Sequence, residues 1–444
     1  MSLREKAVQW KDAATNVPRL AYNAVRFGMA PAAPRALDTL QSEGVSDLHW
    51  KVLGDGLARF LQSSGPVLTK MGQILAARDD LLPAELCARL EKLYSRQPPM
   101  PRRQLDQALR EAFPGGAPFE SFESEPLGVG SIGQVHRARL RSGEEVIVKV
   151  IRPGIAREIE RDMNAGRALV GLFGSAIALK ALEDLAVGFR GEVDLRNEAA
   201  SLEEFGRRFR KNPRVCVPKC YAELSSERVL VMEELKGEPL SELKRRAKDD
   251  REGARRAADL ALKEILSQVF VEGRFHGDPH AGNLLVLPDG RLGLIDLGLT
   301  GEFSSKDRKN ISRAVRAFLK RDPDSLIKAL LGFGTVPDDF DLKAFSAEIA
   351  ETVARGKAGV AAQVSGKGGG DALERFVNDL FRVAFRHRVY VPSSATLLIK
   401  TLVTIEGVAR SLDPDVDLVA AAWPVLLKSL TPSWLRWISF RDSR

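Results

Sequence analysis

The stretch His276-Gly277-Asp278-Pro279-His280-Ala281-Gly282-Asn283 decides how this chain is read. It places a carboxylate, two imidazoles and an amide within one loop, and its glycines and proline oppose continuous helix. Asp278 and Asn283 are five residues apart. Thirteen residues beyond Asn283 comes Ile295-Asp296-Leu297-Gly298, a carboxylate at the end of an apolar run and just before a glycine. Between the two lie NLLVL (283–287) and RLGLIDL (291–297), which read as short strands around Pro288-Asp289-Gly290. An acid, an amide and a second acid at a strand end offer hard oxygen ligands suited to Mg²⁺ and to phosphate. Each piece alone is equally at home as a turn Asp or Asn.

Working outward, the order of the remaining pieces matters. Gly128-x-Gly130-x-x-Gly133-x-Val135 is a glycine-rich turn whose backbone N–H groups can approach a polyphosphate because no Cβ intervenes. Dinucleotide sites use the same spacing, but there a helix follows the turn, and here a strand does. That strand, QVHRARL, turns at Ser142-Gly143 into EVIVKVI, so a hairpin carries Lys149 on its second strand. Glycine turn, strand lysine, Asp-x4-Asn loop and strand-end Asp follow one another in the order of a kinase. The expected architecture is α+β: a bilobal protein-kinase-like fold with a helical N-terminal extension and a helix-rich C-lobe. Lys149 needs an acidic partner, and Glu192, Asp194 and Glu198 are the candidates; in one helix, Glu192 and Glu198 share a face. Forty-nine residues separate Lys149 from Glu198, so residues 155–190 read as an inserted helical piece. Met232, in the apolar run 229–232, is read as lining the back of an adenine pocket, with Glu233 and Leu235 in the hinge that follows; a plain core methionine is the competing reading.

The rest of the chain sets the frame. Its 444 residues allow two to four domains, and the expected division is 1–120, 121–235 and 236–444. Hydrophobic residues make up 44 % and charged residues 28 %, which excludes a wholly disordered or fibrous chain. Three cysteines cannot build a disulfide framework, and one Cys216-x-x-x-Cys220 pair is a weak zinc signal. A net charge of +8 permits phosphate, nucleic acid or anionic lipid. The arginines near 245 and 255 alternate with acids, as on a solvated helix face, so no nucleic-acid partner is expected. The longest apolar runs, 168–179 and 418–427, are too short to span a bilayer. The N-terminus lacks an apolar leader, so the expected location is cytoplasmic. Basic and aromatic residues at both ends, Trp434 and Trp437 among them, suit a peripheral stay on an anionic membrane surface. Residues 355–372, rich in glycine, read as a mobile loop. Gly366-Lys367-Gly368 fails as a P-loop because Ala361 stands where its first glycine is needed.

At this level of detail the chain resembles the UbiB-type atypical kinase-like family, linked to ubiquinone and related isoprenoid-lipid metabolism. Lys70-Met71-Gly72-Gln73 matches the family's KxGQ, residues 131–136 its SIGQVH, and residues 148–154 its VKVQRPG. Glu192-Val193-Asp194 matches its ExD, residues 276–283 its HGDPHPGN, and residues 405–414 its EGxxRxLDP, for which a structural role is expected. The resemblance covers about residues 60–420. It implies that Lys149 and Glu198 form an ion pair, that Asp278 is the catalytic-loop acid, and that Asn283 and Asp296 are Mg²⁺ ligands. It places Gly128, Gly130, Ser131, Gly133 and Val135 over nucleotide. It also implies that Lys70 and Gln73 sit on a helix docked near Glu192 and Asp194, excluding extended peptides. The implied cofactors are ATP or ADP with Mg²⁺. The implied partners are a lipid or isoprenoid intermediate and biosynthetic enzymes.

Two departures from the family stand out. An alanine-rich turn is usual where this chain has Gly128-Val129-Gly130, and many bacterial relatives end in transmembrane helices where this chain stops without one. Two rival readings stay open. A small-molecule kinase of the aminoglycoside or choline type shares the 276–283 loop. A non-catalytic, nucleotide-gated lipid chaperone would bind nucleotide without turnover.

Overall fold

Alternation in EVIVKVI builds the first sheet: Val146, Val148 and Val150 are fully buried, and Lys149 points to the opposite face. In the computed structural model the described residues are 54–59, 61, 72, 89–90, 99–130, 132–173, 186, 191–247, 249–320, 322–332, 336, 340–364, 379–380, 382–384, 386–387, 389, 393–416 and 418–430. The chain divides into two compact units, one of residues 1–200 and 220–234, the other of residues 201–219 and 235–444.

In the first unit, helix α1 (Arg102–Ala112) covers a five-stranded antiparallel sheet. Strands β1 (Phe119–Phe122), β3 (Gly133–Leu140), β4 (Glu145–Ile151) and β6 (Val229–Glu233) lie in that order, with β2 (Gly128–Val129) on β3. Leu105 and Ala108 of α1 meet Phe119, Leu140, Val146, Val148, Val229 and Val231 in one core. The β3–β4 turn ends on Gly143 at φ +101°, a conformation glycine adopts without a Cβ clash. Helix α2 (Ile155–Phe173) follows β4, and the first turn of α3 (Leu195–Phe209) closes the unit.

The second unit holds the rest of α3 and two small sheets. One has the order β5 (Val215–Cys216), β10 (Leu292–Leu294), β9 (Leu284–Val286), β7 (Glu238–Pro239); the other pairs β8 (Arg274–His276) with β11 (Thr300–Glu302). Short α4 (Leu240–Arg245) precedes α5 (Arg251–Ser267), which starts where the Asp250 carboxylate accepts the Gly253 N–H. The alanine- and leucine-rich face of α5 is buried, and α9 (Ser393–Leu412) and α10 (Leu418–Leu430) pack on it. Helices α6 (Ser305–Lys320), α7 (Pro323–Leu331) and α8 (Leu342–Val364) share a further core around Leu326, Phe345, Ile349 and Val353.

Two expectations are corrected here. Residues 355–364 are helical and form the second half of α8 rather than a loop. Its first half is anchored by Phe345 and Ile349, and alanines carry the helix past Gly356 and Gly359, each of which costs only about 1 kcal/mol against alanine. Glu192 and Glu198 do not share one helix, because the chain breaks at Val193-Asp194 before α3 begins. The Asp194 carboxylate there accepts the Arg196 backbone N–H at 3.1 Å, starting a new helix. Among the described residues no helix is long and apolar enough to cross a membrane.

Candidate functional site

The loop between β8 and β9 is fastened from below by His276. Its ring is fully buried, and its Nδ1 accepts the Asp278 N–H at 3.2 Å. That bond makes Nε2 the protonated nitrogen of the neutral ring. Burial pushes the His276 pKa down to about 4, against a partial upward pull from Asp296 and Asp278. The Gln268 side chain accepts the His276 N–H at 3.0 Å. Gln268 sits in a π-turn at the end of α5, and Gly273 at φ +73° turns the chain back into β8.

With its start pinned, the loop folds on itself. Asn283 is buried, and its Nδ2 donates to the Asp278 carbonyl at 3.1 Å. The Asn283 carbonyl accepts the Ile295 N–H at 3.1 Å, so Ile295 lies opposite Asn283 across the β9–β10 hairpin and Asp296 follows it by one residue. One Asp296 oxygen accepts the Gly298 N–H at 3.0 Å. His280 Nδ1 accepts the Gly282 N–H at 3.0 Å and shapes the turn. Asp278 lies at the loop surface, 3.2 Å from the ammonium of Lys400 in α9.

In the first unit, Lys149 forms an ion pair with Glu198 from the first turn of α3, and both side chains are nearly enclosed, at 13 % and 7 % exposed. Of the three acidic candidates, Asp194 is instead engaged by Arg196, at 2.8 Å to Nε and 2.7 Å to an NH₂ group. That side-chain bond is the main cause of the lowered Asp194 pKa. Glu192 is half-buried two residues ahead.

The glycine-rich turn is a hairpin in which Gly128 faces Val135 and the Gly130 N–H donates to the Gly133 carbonyl at 2.9 Å. A Cβ on Gly133 would stand 2.5 Å from the Val150 carbonyl oxygen, whereas one on Gly128 would meet nothing within 4 Å. Close strand approach therefore requires glycine at 133. Val135 also faces Lys149 across β3 and β4. Met232 is buried opposite Ile147, Glu233 is exposed at the end of β6, and Leu235 is half-buried. Lys70, Gln73 and Ser131 lie outside the described residues, as do Trp434 and Trp437.

Comparison with known proteins meets this geometry from outside. Residues 92–330 match the ABC1 atypical kinase-like domain, and residues 372–417 match the UbiB helical domain. A protein of Marinobacter nauticus named "Probable protein kinase UbiB" is 31 % identical over 413 residues, 86 % of this chain and 74 % of that protein. One of the same name from Pseudomonas aeruginosa PAO1 is 32 % identical over 400 residues, 86 % of this chain and 72 % of that protein. The chain belongs to the UbiB family. The solved complex of Rv3197 with erythromycin from Mycobacterium tuberculosis shares the fold. It aligns at TM-score 0.52 and 22 % identity, covering 81 % of this chain and 92 % of that one.

Within the UbiB motifs, several side chains serve the fold. Gln134 accepts the Met100 N–H at 2.7 Å and contacts His136 Nε2 at 2.7 Å, while His136 Nδ1 meets the Glu123 carbonyl at 2.8 Å. Burial lowers the His136 pKa, so the neutral ring donates through Nδ1 and accepts through Nε2. This buried chain ties the segment before α1 to the β3 hairpin. The EGxxRxLDP segment ends α9: Arg410 pairs with buried Glu406 at 3.0 Å, and the largely buried Asp413 lies 3.8 Å from Arg255 of α5. The sequence reading missed Arg196 as the partner of Asp194, although two-residue spacing at a helix start is its signal. It also missed Lys400, for which no local pattern exists.

The donor set of the second unit fits Mg²⁺. Asn283 and Asp296 present an amide oxygen and a carboxylate, hard ligands that leave the remaining positions to phosphate and water. Among the described residues no cluster of three or more His, Cys, Asp or Glu could hold a metal by itself, and two-ligand binding completed by phosphate is how Mg²⁺ is held in nucleotide sites.

Proposed function

We propose that this UbiB-family protein is a Mg²⁺-dependent, ATP-binding atypical kinase or ATPase that supports isoprenoid-quinone lipid metabolism. The observation that supports the reading is the bond between the Asn283 carbonyl and the Ile295 N–H, which holds the end of the 276–283 loop against the strand end that carries Asp296. In this reading Lys149, held by Glu198, addresses the nucleotide phosphates. Asn283 and Asp296 hold the metal, which when bound would neutralise charge on the phosphates. Asp278 orients the acceptor hydroxyl or water and takes its proton. Most of the acceleration comes from positioning. The family's link to ubiquinone, together with the basic, aromatic chain ends, supports an isoprenoid lipid reached from a membrane surface.

The test is ATP hydrolysis by the full chain with and without anionic liposomes and an isoprenoid phenol. Wild type is expected to turn over with Mg²⁺, and Asp296→Asn is expected to lose at least 100-fold, in the range typical of a lost electrostatic contact. Wild-type rates in Asp296→Asn refute the site. Nucleotide binding without turnover in any condition favours a lipid chaperone.

A further inference from the structure

Three side chains of α9 converge on the loop that carries Asp278. Leu397, Lys400 and Thr401 occupy spacings i, i+3 and i+4, one face of the helix. Thr401 Oγ1 is 3.2 Å from the His276 carbonyl and also donates to the Leu397 carbonyl at 2.9 Å. A Cβ on Gly277 would stand 2.9 Å from Leu397 Cδ1, so the helix is packed to backbone contact at that point. Between these two anchors Lys400 sends its ammonium to Asp278 Oδ1 at 3.2 Å. The far end of α9 is fixed by Glu406, Arg410 and Asp413, and α9 packs along α5.

The loop has no lysine or arginine between residues 276 and 283. His280 spends Nδ1 on the Gly282 N–H. Among the described residues the positive charge beside Asp278 comes from α9, which lies in the segment matched to the UbiB helical domain and outside the one matched to the kinase-like domain. We propose that Lys400 is a positioning residue for Asp278, and that the helical domain thereby supplies part of the catalytic loop's charge. The inference rests on the function proposed above. Its physical basis is charge balance: an anionic phosphoryl group brought near a bare carboxylate is repelled, and an ammonium on that carboxylate offsets the repulsion and fixes its rotamer. One of the three ammonium N–H groups is enough to hold Oδ1. The Lys400 side chain is 43 % exposed and Asp278 is 37 % exposed, so removing the charge leaves no sealed cavity.

The experiment uses the full chain, Mg²⁺, ATP and anionic phospholipid vesicles with an isoprenoid phenol. Lys400→Met is expected to lower kcat about 10- to 100-fold with the nucleotide KM changed less than about twofold, since ground-state nucleotide binding does not need it. Lys400→Arg is expected to recover at least about a third of the wild-type kcat, because the charge and reach are kept. Thermal melting of both variants is expected within a few degrees of wild type. A kcat in Lys400→Met within about twofold of wild type, a loss that Arg does not rescue, or an equal change in KM and kcat overturns the proposal. Asp278→Asn separates the two levels. If it is inactive while Lys400→Met is normal, only the role of Lys400 fails. If Asp278→Asn is itself as active as wild type, or wild type shows no turnover, the proposed function fails and takes this role with it.

Discussion

Replacing Glu198 by Gln removes the carboxylate that Lys149 faces and leaves an ammonium in a place where only 13 % of its side chain meets solvent. Breaking an enclosed pair by deleting one partner typically costs about 3–5 kcal/mol, because the surviving charge loses its counter-charge in a poorly solvated place, whereas replacing both partners with apolar groups of similar volume is often neutral. Taking the lower end, about 3 kcal/mol, and a unit of roughly 200 residues, the melting midpoint should fall by roughly 6–12 °C. Lys149→Met/Glu198→Gln carries neither charge and should lose less than the sum of the two single losses, with a coupling above about 2 kcal/mol in a double-mutant cycle. Activity should behave differently from stability. Lys149→Met and the double variant should both lose turnover by at least about 100-fold, since the cation proposed to address phosphate is gone in each. Calorimetry of the four proteins with a hydrolysis assay decides the matter. A Glu198→Gln melt within 2 °C or so of wild type, or additive losses in the double variant, would show that the pair behaves like a surface bridge and that the enclosure argument is wrong.

Three further outcomes follow from the packing. His276 has a folded pKa of about 4 against about 6.5 when unfolded. Below pH 6.5 the unfolded chain takes up a proton that the native ring refuses. The native state thus keeps full stability above that pH and loses about 3 kcal/mol as pH falls to 4. Urea unfolding of the metal-free protein at pH 7 and pH 4.5 should show a steeper drop for wild type than for His276→Gln, and equal slopes would contradict the buried neutral ring. Gly133→Ala must push its methyl against the Val150 carbonyl and should destabilise by about 1–3 kcal/mol. Gly128→Ala meets no neighbour and should fold normally; if the glycine turn sets nucleotide choice, its ATP-to-ADP affinity ratio changes, and an unchanged ratio removes that role.

Much of the site was legible in the sequence because its parts are local. The five-residue interval from Asp278 to Asn283 and the hairpin to Asp296 are closed by turn residues within twenty positions. The alternation around Lys149 is likewise a property of one strand. The strands 229–233, 284–286 and 292–294 followed from short apolar runs between turn signals. Composition favours a flexible loop at 355–364, whereas the residues that anchor this helix, Phe345 and Ile349, lie up to ten positions earlier in it.

What the sequence determined by itself is the order of chemical groups: glycine turn, lysine, acid, amide, acid. That order follows from short-range rules of turns, caps and alternation, which act within one element. Residue spacing leaves Glu192, Asp194 and Glu198 open as partners of Lys149, the family resemblance points to Glu198, and the tertiary structure pairs Lys149 with Glu198 while a helix break and Arg196 turn Asp194 to another task. Only packing, too, brought α9 onto a loop 125 residues earlier in the chain and put Lys400 beside Asp278. A contact over that separation is fixed by the shape of a shared core, and no spacing in the sequence encodes it.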